Sequence, residues 1–294
     1  MPRHEFVVAT ENIPYLAWQA MLFHYSCVRH MGVAPIIVVH KDDEPLHPGF
    51  ERIQAAGGQV QTAPNYRIVN GVYYPPRNTA GTLRHVQTDA EYIVLCDSDM
   101  IFLQPLPLKD LLLAPRQVSF DFVSYLVPDG PQYQPYLDDI CRSVGVDPKK
   151  LRTLEINGGV PHVIPTRWQQ PLSDEWFELM SLFPNEPLGE GCQPQSVWLA
   201  ATWSIVIAMH RLKLKPVMTR FCTSNAHESQ PLPSLTPDGP KMLHYCYGGS
   251  GFNKRDFFHS IDAEQNVWAV PPDDGTIAGA IRQHLRDARQ FYGL

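Results

Sequence analysis

The stretch Glu91–Leu103, EYIVLCDSDMIFL, decides how this chain is read. Its apolar run Tyr92–Cys96 has the length of a strand and is too short for a core helix. The absence of alternation marks a strand covered on both faces. The run ends on Asp97-Ser98-Asp99. In open α/β sheets ligands bind beyond the carboxyl ends of the strands, so both carboxylates stand where a ligand belongs. Hard oxygen donors at such an edge suit Mg²⁺ or Mn²⁺, and an ion held there neutralises a departing diphosphate as a Lewis acid. A bare D-x-D arises about once by chance in a chain with this many aspartates. The other reading is a solvated acidic turn, and the strand context favours the metal.

Outward from this stretch, strand and helix signals alternate. Glu5–Thr10 (EFVVAT) reads as a buried strand. Tyr15–Met31 reads as a helix, with Trp18, Leu22, Tyr25 and Val28 near helical spacing and Gly32 ending it. Pro35–His40 is a second strand, Pro48–Ala56 a short helix stopped by Gly57-Gly58, Gln59–Thr62 a third strand and Thr79–Asp89 a helix leading to Glu91–Asp97. This alternation implies an α/β fold with a mostly parallel central sheet and helices on both faces. The second half is less regular. Strands are expected at Val118–Val127, Ile156–Ile164 and Lys241–Tyr247, and helices at Pro135–Val144, Arg167–Phe183, Gln195–Leu212 and Thr276–Phe291. Gln230–Pro240 (QPLPSLTPDGP) fits no regular element. One domain over residues 1–294 with an irregular C-terminal part is expected.

Composition narrows the classes. The 294 residues carry a net charge of −6, are 44% hydrophobic and only 18% charged. Such a chain can bury a core and is not disordered. Its acidic balance excludes a dedicated nucleic-acid binder. The 28 prolines favour rigid loops over long uninterrupted helices. The start, MPRHEFVVATENIPY, reads as an approach to a strand rather than a secretory leader. Val197–Met209, the most apolar stretch, is interrupted by Thr202 and Ser204 and falls short of the ~20 residues of a membrane span. Cys27, Cys96, Cys141, Cys192, Cys222 and Cys246 form no CxxC pair. They read as reduced thiols of a cytoplasmic protein, with a disulfide framework as the weaker alternative.

Three further segments carry candidate chemistry. His244 lies in KMLHYCYGG, and neutral imidazole often joins two carboxylates on a transition metal; a core histidine bonded to backbone is the alternative. Gly248 and Gly249 beyond it permit close backbone approach to a phosphate. Asn157-Gly158-Gly159 offers an amide and a roomy spot for a sugar ring, or marks a bulge. Gln193-Pro194-Gln195-Ser196 opens the apolar helix, where free N–H groups face a polar ligand or an ordinary cap.

In this order the segments resemble a known family. PYLAWQAMLFHYSCVRH (14–30), Pro75–Arg84, YIVLCDSDMIFLQPLP (92–107), WSIVIA (203–208) and MLHYCYGGSGFNKRDF (242–257) are similar to the hydroxyproline O-arabinosyltransferases and the peptidyl serine α-galactosyltransferases. These are metal-dependent nucleotide-sugar glycosyltransferases of the GT-A (Rossmann-like) fold. The resemblance implies a nucleotide-binding half, 1–103, and an acceptor and sugar half, 104–294. It assigns Asp97, Ser98 and Asp99 to the metal and diphosphate motif and His244 to the third metal position, with Mn²⁺ or Mg²⁺ as the ion. Thr10 falls where the uridine nucleotide is held. Arg77 falls among nucleotide or phosphate contacts, and its guanidinium suits bidentate phosphate binding. Gly158 and Gly248 would line the donor. Lys254 would meet the β-phosphate, with a surface lysine as the other reading. Asn157 and Gln195 would steady the sugar ring.

The implied reaction moves a sugar from a UDP-sugar to a hydroxyl of a glycan or of a peptide hydroxyproline or serine, with retention. Same-face attack would let the leaving phosphate take the acceptor proton; were a carboxylate nucleophile used, Asp121 and Glu155 are candidates. The chain departs from these families at Leu199, which falls near their glutamate, and some of them carry E-P-D in place of Asp97-Ser98-Asp99. No nucleic-acid partner and no transmembrane segment are expected, and oligomeric state is not legible. Rival classes are a non-catalytic nucleotide-sugar-binding module, a sugar nucleotidyltransferase and a metal-dependent hydrolase. The nucleotidyltransferase needs a glycine-rich loop after strand one, where this chain has ATENIPYL; the hydrolase lacks its zinc pattern.

Overall fold

Four consecutive apolar side chains, Ile36–Val39, lose all or nearly all contact with solvent. In an extended chain, whose side chains alternate between two faces, that requires cover on both faces. The computed structural model of the chain describes residues 2–69, 71–108, 111, 113–122, 138, 141–152, 158–182, 194–224, 229–246, 248–249, 251–258, 266–271 and 273–294, the backbone alone at 152 and 194–200.

The strands are β1 (His4–Glu11), β2 (Ile36–Lys41), β3 (Gln59–Pro64), β4 (Ile68–Val69), β5 (Val72–Tyr73), β6 (Tyr92–Asp97), β7 (Met100–Phe102), β8 (Gln117–Asp121), β9 (Gly159–Pro165), β10 (Lys215–Thr219), β11 (Cys222–Ser224) and β12 (Met242–His244). The helices are α1 (Pro14–Met31), α2 (Pro48–Ala55), α3 (Arg77–His85), α4 (Pro148–Arg152), α5 (Gln169–Leu182), α6 (Pro194–Arg211) and α7 (Ile277–Tyr292). A central, mostly parallel seven-stranded sheet runs β10-β8-β9-β6-β1-β2-β3, and a three-stranded sheet runs β11-β12-β7. Strands β1 and β2 pair in parallel, as do β8 and β10, whereas β9 is antiparallel to β6 and β8. The expected α/β architecture is therefore present, with one antiparallel strand inserted.

The chain forms two compact units. One comprises Met1–Glu5, Ala63–Leu95 and Lys109–Thr219. Its helices pack around the buried Trp176, whose indole N–H donates to the Ala201 carbonyl (3.0 Å) and the Ser204 hydroxyl (3.1 Å). Leaving that donor unpaired would cost about 1–3 kcal/mol, which is why a serine interrupts the apolar α6. The Gly158 backbone, at φ +57°, lies so close to α6 that a Cβ would meet the Thr202 carbonyl oxygen at 2.4 Å.

The other unit comprises Phe6–Thr62, Cys96–Leu108 and Arg220–Leu294. Helix α1 starts with Pro14, one residue before the expected Tyr15, and ends at Gly32 in the left-handed region, as the sequence implies. In α7 the buried Ile277, Ile281, Leu285 and Ala288 form one face, set against Trp18, Leu22, Leu103 and Leu243. The Thr276 hydroxyl caps this helix by accepting from the Gly279 N–H at 3.0 Å. Among the described residues no helix is long and apolar enough to cross a membrane, and Cys27, Cys96, Cys141, Cys222 and Cys246 are free thiols.

Some expectations change. The strand expected at Val118–Val127 ends at Asp121, with Phe122 beyond it and 123–127 outside the described residues, as is half of the helix expected at Pro135–Val144. Lys241–Tyr247 contracts to the three-residue β12.

Gly158→Ala is expected to lower unfolding free energy by roughly 2–4 kcal/mol, combining left-handed strain with a clash against backbone. Gly32→Ala, at φ +70° with open space around it, should cost only about 1 kcal/mol. Denaturant midpoints check the contrast, and equal losses would contradict the packing described.

Candidate metal centre

Strand β6 ends at Asp97, and the turn Ser98-Asp99 leads into β7. The Asp97 N–H turns onto the Met100 sulfur at 3.4 Å. β7 pairs antiparallel with β12, matching Met100 with His244, Ile101 with Leu243 and Phe102 with Met242. The Tyr245 N–H then donates to the Asp99 carbonyl at 2.9 Å and extends the pairing by one rung. This register carries His244 to Asp99.

The His244 Nε2 lies 3.1 Å from Asp99 Oδ1 and 3.8 Å from Asp97 Oδ2. The Lys254 ammonium takes the other oxygen of Asp99. Both partners are nearly enclosed, at 14% and 12% side-chain exposure, whereas Asp97 keeps 38% and forms the open side of the group.

Burial alone would raise the carboxyl pKa of Asp99. The Lys254 ammonium and His244 outweigh burial and hold it well below the usual carboxylate range. Burial works against the charged forms of His244 and Lys254, and Asp99 overcomes it, so both pKa values rise. Asp97 goes the other way: burial, then the like charge of Asp99, push it up to about 6.

The residues fit a divalent ion. One ligand atom each from Asp97, Asp99 and His244 lies within 4.8 Å of the others. Around an ion with bonds of about 2.1 Å, ligands stand ~3.0–4.2 Å apart, a range that holds the 3.1 and 3.8 Å separations of His244 from the two carboxylates. Two carboxylates and an imidazole suit Mn²⁺ and leave positions for phosphate oxygens. Burial and the Asp99 carboxylate both disfavour an ionised Asp97, and a cation bound beside it would favour the charged form.

Several supports escaped sequence reasoning. Tyr245 holds Asp99 through its N–H, and its hydroxyl donates to the Ser98 carbonyl at 3.4 Å. The Tyr15 phenol is raised by burial, opposed by Lys254 and reinforced by Asp99, so it belongs to the same electrostatic group. Burial and Asp99 push the Cys246 thiol up to about 12, leaving it inert as a nucleophile. The signal for Tyr245 was its place inside the late apolar run; Tyr15 carried none beyond following Pro14.

The remaining candidates are placed as follows. Lys254 is not a surface lysine: it is bound to Asp99, which overturns that reading. Gly248 stands against Asn253, where a Cβ would lie 2.9 Å from the amide oxygen. Thr10 is buried at the end of β1, its hydroxyl donating to the Glu11 carbonyl at 3.4 Å. The other unit holds Arg77, Gly158 and Asp121. The Arg77 guanidinium stacks 3.9 Å from the Phe177 ring centroid and donates to the Ser181 hydroxyl at 2.6 Å. Asp121 is fully buried and accepts from the Thr219 hydroxyl at 3.0 Å. Asn157, Glu155 and the side chain of Gln195 lie outside the described residues.

Comparison with solved structures decides the fold. The galactosyltransferase LgtC in complex with donor and acceptor sugar analogues matches with a TM-score of 0.56 and 11% identity over 97% of this chain and 95% of that one. An active-site mutant of LgtC matches equally. The fold is that of the GT-A glycosyltransferases. The apo-form glycosyltransferase GlyE of Streptococcus pneumoniae matches with a TM-score of 0.55 and 14% identity over 99% of this chain and 62% of GlyE. No protein-family model and no curated protein matches the chain.

Asp97→Asn is expected to raise the thermal midpoint of the metal-free protein at pH 7.5, with the gain shrinking toward pH 5. The sign follows from a folded pKa near 6 against about 3.9 in the unfolded chain. The ionised carboxylate destabilises the metal-free fold above pH 6, and protonation removes that penalty as pH falls. A gain independent of pH would contradict the raised pKa of Asp97.

Proposed function

We propose that this protein is a metal-dependent glycosyltransferase that moves a sugar from a UDP-sugar to a hydroxyl acceptor with retention. The observation that carries the proposal is the Asp97–Asp99–His244 group, gathered within 4.8 Å at the carboxyl end of β6 in a GT-A fold. Fold alone does not fix function, so the site chemistry bears the argument.

In this reading Asp97, Asp99 and His244 hold the ion through two oxygens and one ring nitrogen. When bound, the ion supplies Lewis-acid charge to the leaving diphosphate, a form of transition-state stabilisation that is often the largest catalytic contribution. Lys254 adds a second positive charge at the other oxygen of Asp99. Tyr245 and Ser98 keep the turn in register, Thr10 holds the uridine side and the backbone of Gly248 lines the donor. Asn157, Gly158, Gln195 and Arg77 are assigned to the sugar and donor contacts implied by the sequence resemblance. A single transferase domain, a glycan or peptide hydroxyl as acceptor, and a cytoplasmic location belong to the same proposal. The LgtC complex, with its donor and acceptor sugar analogues, supports a sugar-bearing donor and acceptor. The glycine-free segment ATENIPYL after β1 disfavours the nucleotidyltransferase.

Calorimetric titration of UDP with and without Mn²⁺, on the wild type and Asp99→Asn, tests this. Metal-dependent binding weakened on the order of 100-fold in the variant is expected, followed by UDP release from at least one UDP-sugar with an acceptor present. UDP binding indifferent to both metal and Asp99 would refute it. Metal-dependent binding without turnover on any donor would favour the binding module.

A further inference from the structure

Asp99 has no vacant oxygen. His244 lies on Oδ1 and Lys254 on Oδ2, and both side chains are almost fully enclosed with it. The position of Lys254 is built rather than incidental. It opens the 3-10 turn Lys254–Phe257, which the Asn253 side chain caps by accepting from the Arg255 N–H at 3.1 Å. The absent side chain at Gly248 gives Asn253 its space. The far end of the turn is pinned to α1, since the Trp18 indole donates to the Phe257 carbonyl at 3.2 Å. Phe252 stacks on Phe257 with centroids 5.7 Å apart and meets the Tyr245 ring edge-on at 6.0 Å. The turn is thus tied to the two elements, α1 and the β12 end, that frame Asp99.

We infer that Lys254 serves as the cation of this site before a divalent ion enters, and that it makes capture of the ion depend on simultaneous binding of a nucleoside diphosphate. The inference rests on the metal-and-UDP reading above and deepens it. A buried carboxylate is tolerated only when paired, and Lys254 supplies that pairing. A dication sharing Asp99 must either displace the ammonium or sit beside it, and both cost free energy. An incoming diphosphate removes that cost, because its negative charge serves the ion and the ammonium together. Metal and nucleotide affinities are therefore coupled, reciprocally as linkage requires, and the coupling resides in one side chain.

The test is binding of Mn²⁺ alone, followed by the spin-resonance signal of free Mn²⁺, then repeated with saturating UDP. The proteins are the wild type, Lys254→Met and Lys254→Arg. The wild type should bind Mn²⁺ weakly alone and more tightly with UDP. Lys254→Met should bind Mn²⁺ alone more tightly, on the order of tenfold within the usual range of coupled sites, and gain much less from UDP. Lys254→Arg should return to wild-type behaviour, which a merely structural role for the lysine does not require. Lys254→Met leaves Asp99 short of a cation, so Mn²⁺ without nucleotide should raise its thermal midpoint more than that of the wild type. If Lys254→Met does not fold, Lys254→Gln takes its place, losing the charge and keeping a polar end one atom shorter. A neutral variant that binds Mn²⁺ alone no better than a wild type whose metal binding is promoted by UDP overturns this inference and leaves the functional reading standing. Failure of all the proteins to bind Mn²⁺ with or without UDP overturns both.

Discussion

The candidate centre depends on a short antiparallel contact, β7 against β12, and on the N–H of Tyr245 that extends it to the Asp99 carbonyl. Three paired residues and one added rung are few. They hold because Ile101, Leu243 and Tyr245 are sealed in the core with Trp18, Leu22 and the inner face of α7. A pairing shift of one residue would turn every side chain of β12 to the opposite face. His244 would then enter the apolar core and Leu243 would face Asp97. The hydrophobic register and the chemistry of the site are the same constraint.

Charge distribution follows from that geometry. Asp99 is enclosed and holds both His244 and Lys254, while Asp97 is the more exposed of the two and has its pKa raised by burial and then by the like charge beside it. The two carboxylates of one D-x-D are thus unequal: one is anchored within the protein and the other is presented outward. That inequality arises from position in the turn, since Asp97 is still a strand residue and Asp99 already faces β12.

Much of the fold was legible where a physical signal was strong. Gly32 ends α1 through its left-handed backbone, and the unbroken apolar runs of β2 and β6 declare strands covered on both faces. Asp97, Asp99 and His244 were found from the strand end and the late histidine, and the structure does bring them together. What was missed had no periodicity to read. β7 and β11 are three residues long, and MIFLQ after the D-x-D looks like a continuation of the same apolar run. The antiparallel sense of β9 is a property of topology that its own residues do not encode. Lys254 resembled a surface lysine because its partner lies far away in sequence, and burial of a lone lysine is visible only once that partner is in place.

Asp99 and His244 are 145 residues apart along the chain, and this separation governs how the centre comes into being. At the ordinary pace of synthesis, about 5–20 residues per second, it corresponds to roughly 7–30 s on the ribosome. Through that interval the two aspartates exist without their compensating cations, and α1 lacks the helix that closes its apolar face. The unit is stitched from three separated segments, the last beginning at Arg220, so its contact order is high and its folding cannot be completed during elongation of the middle segment. The nascent chain must therefore keep an acidic, half-covered surface soluble until the final segment arrives.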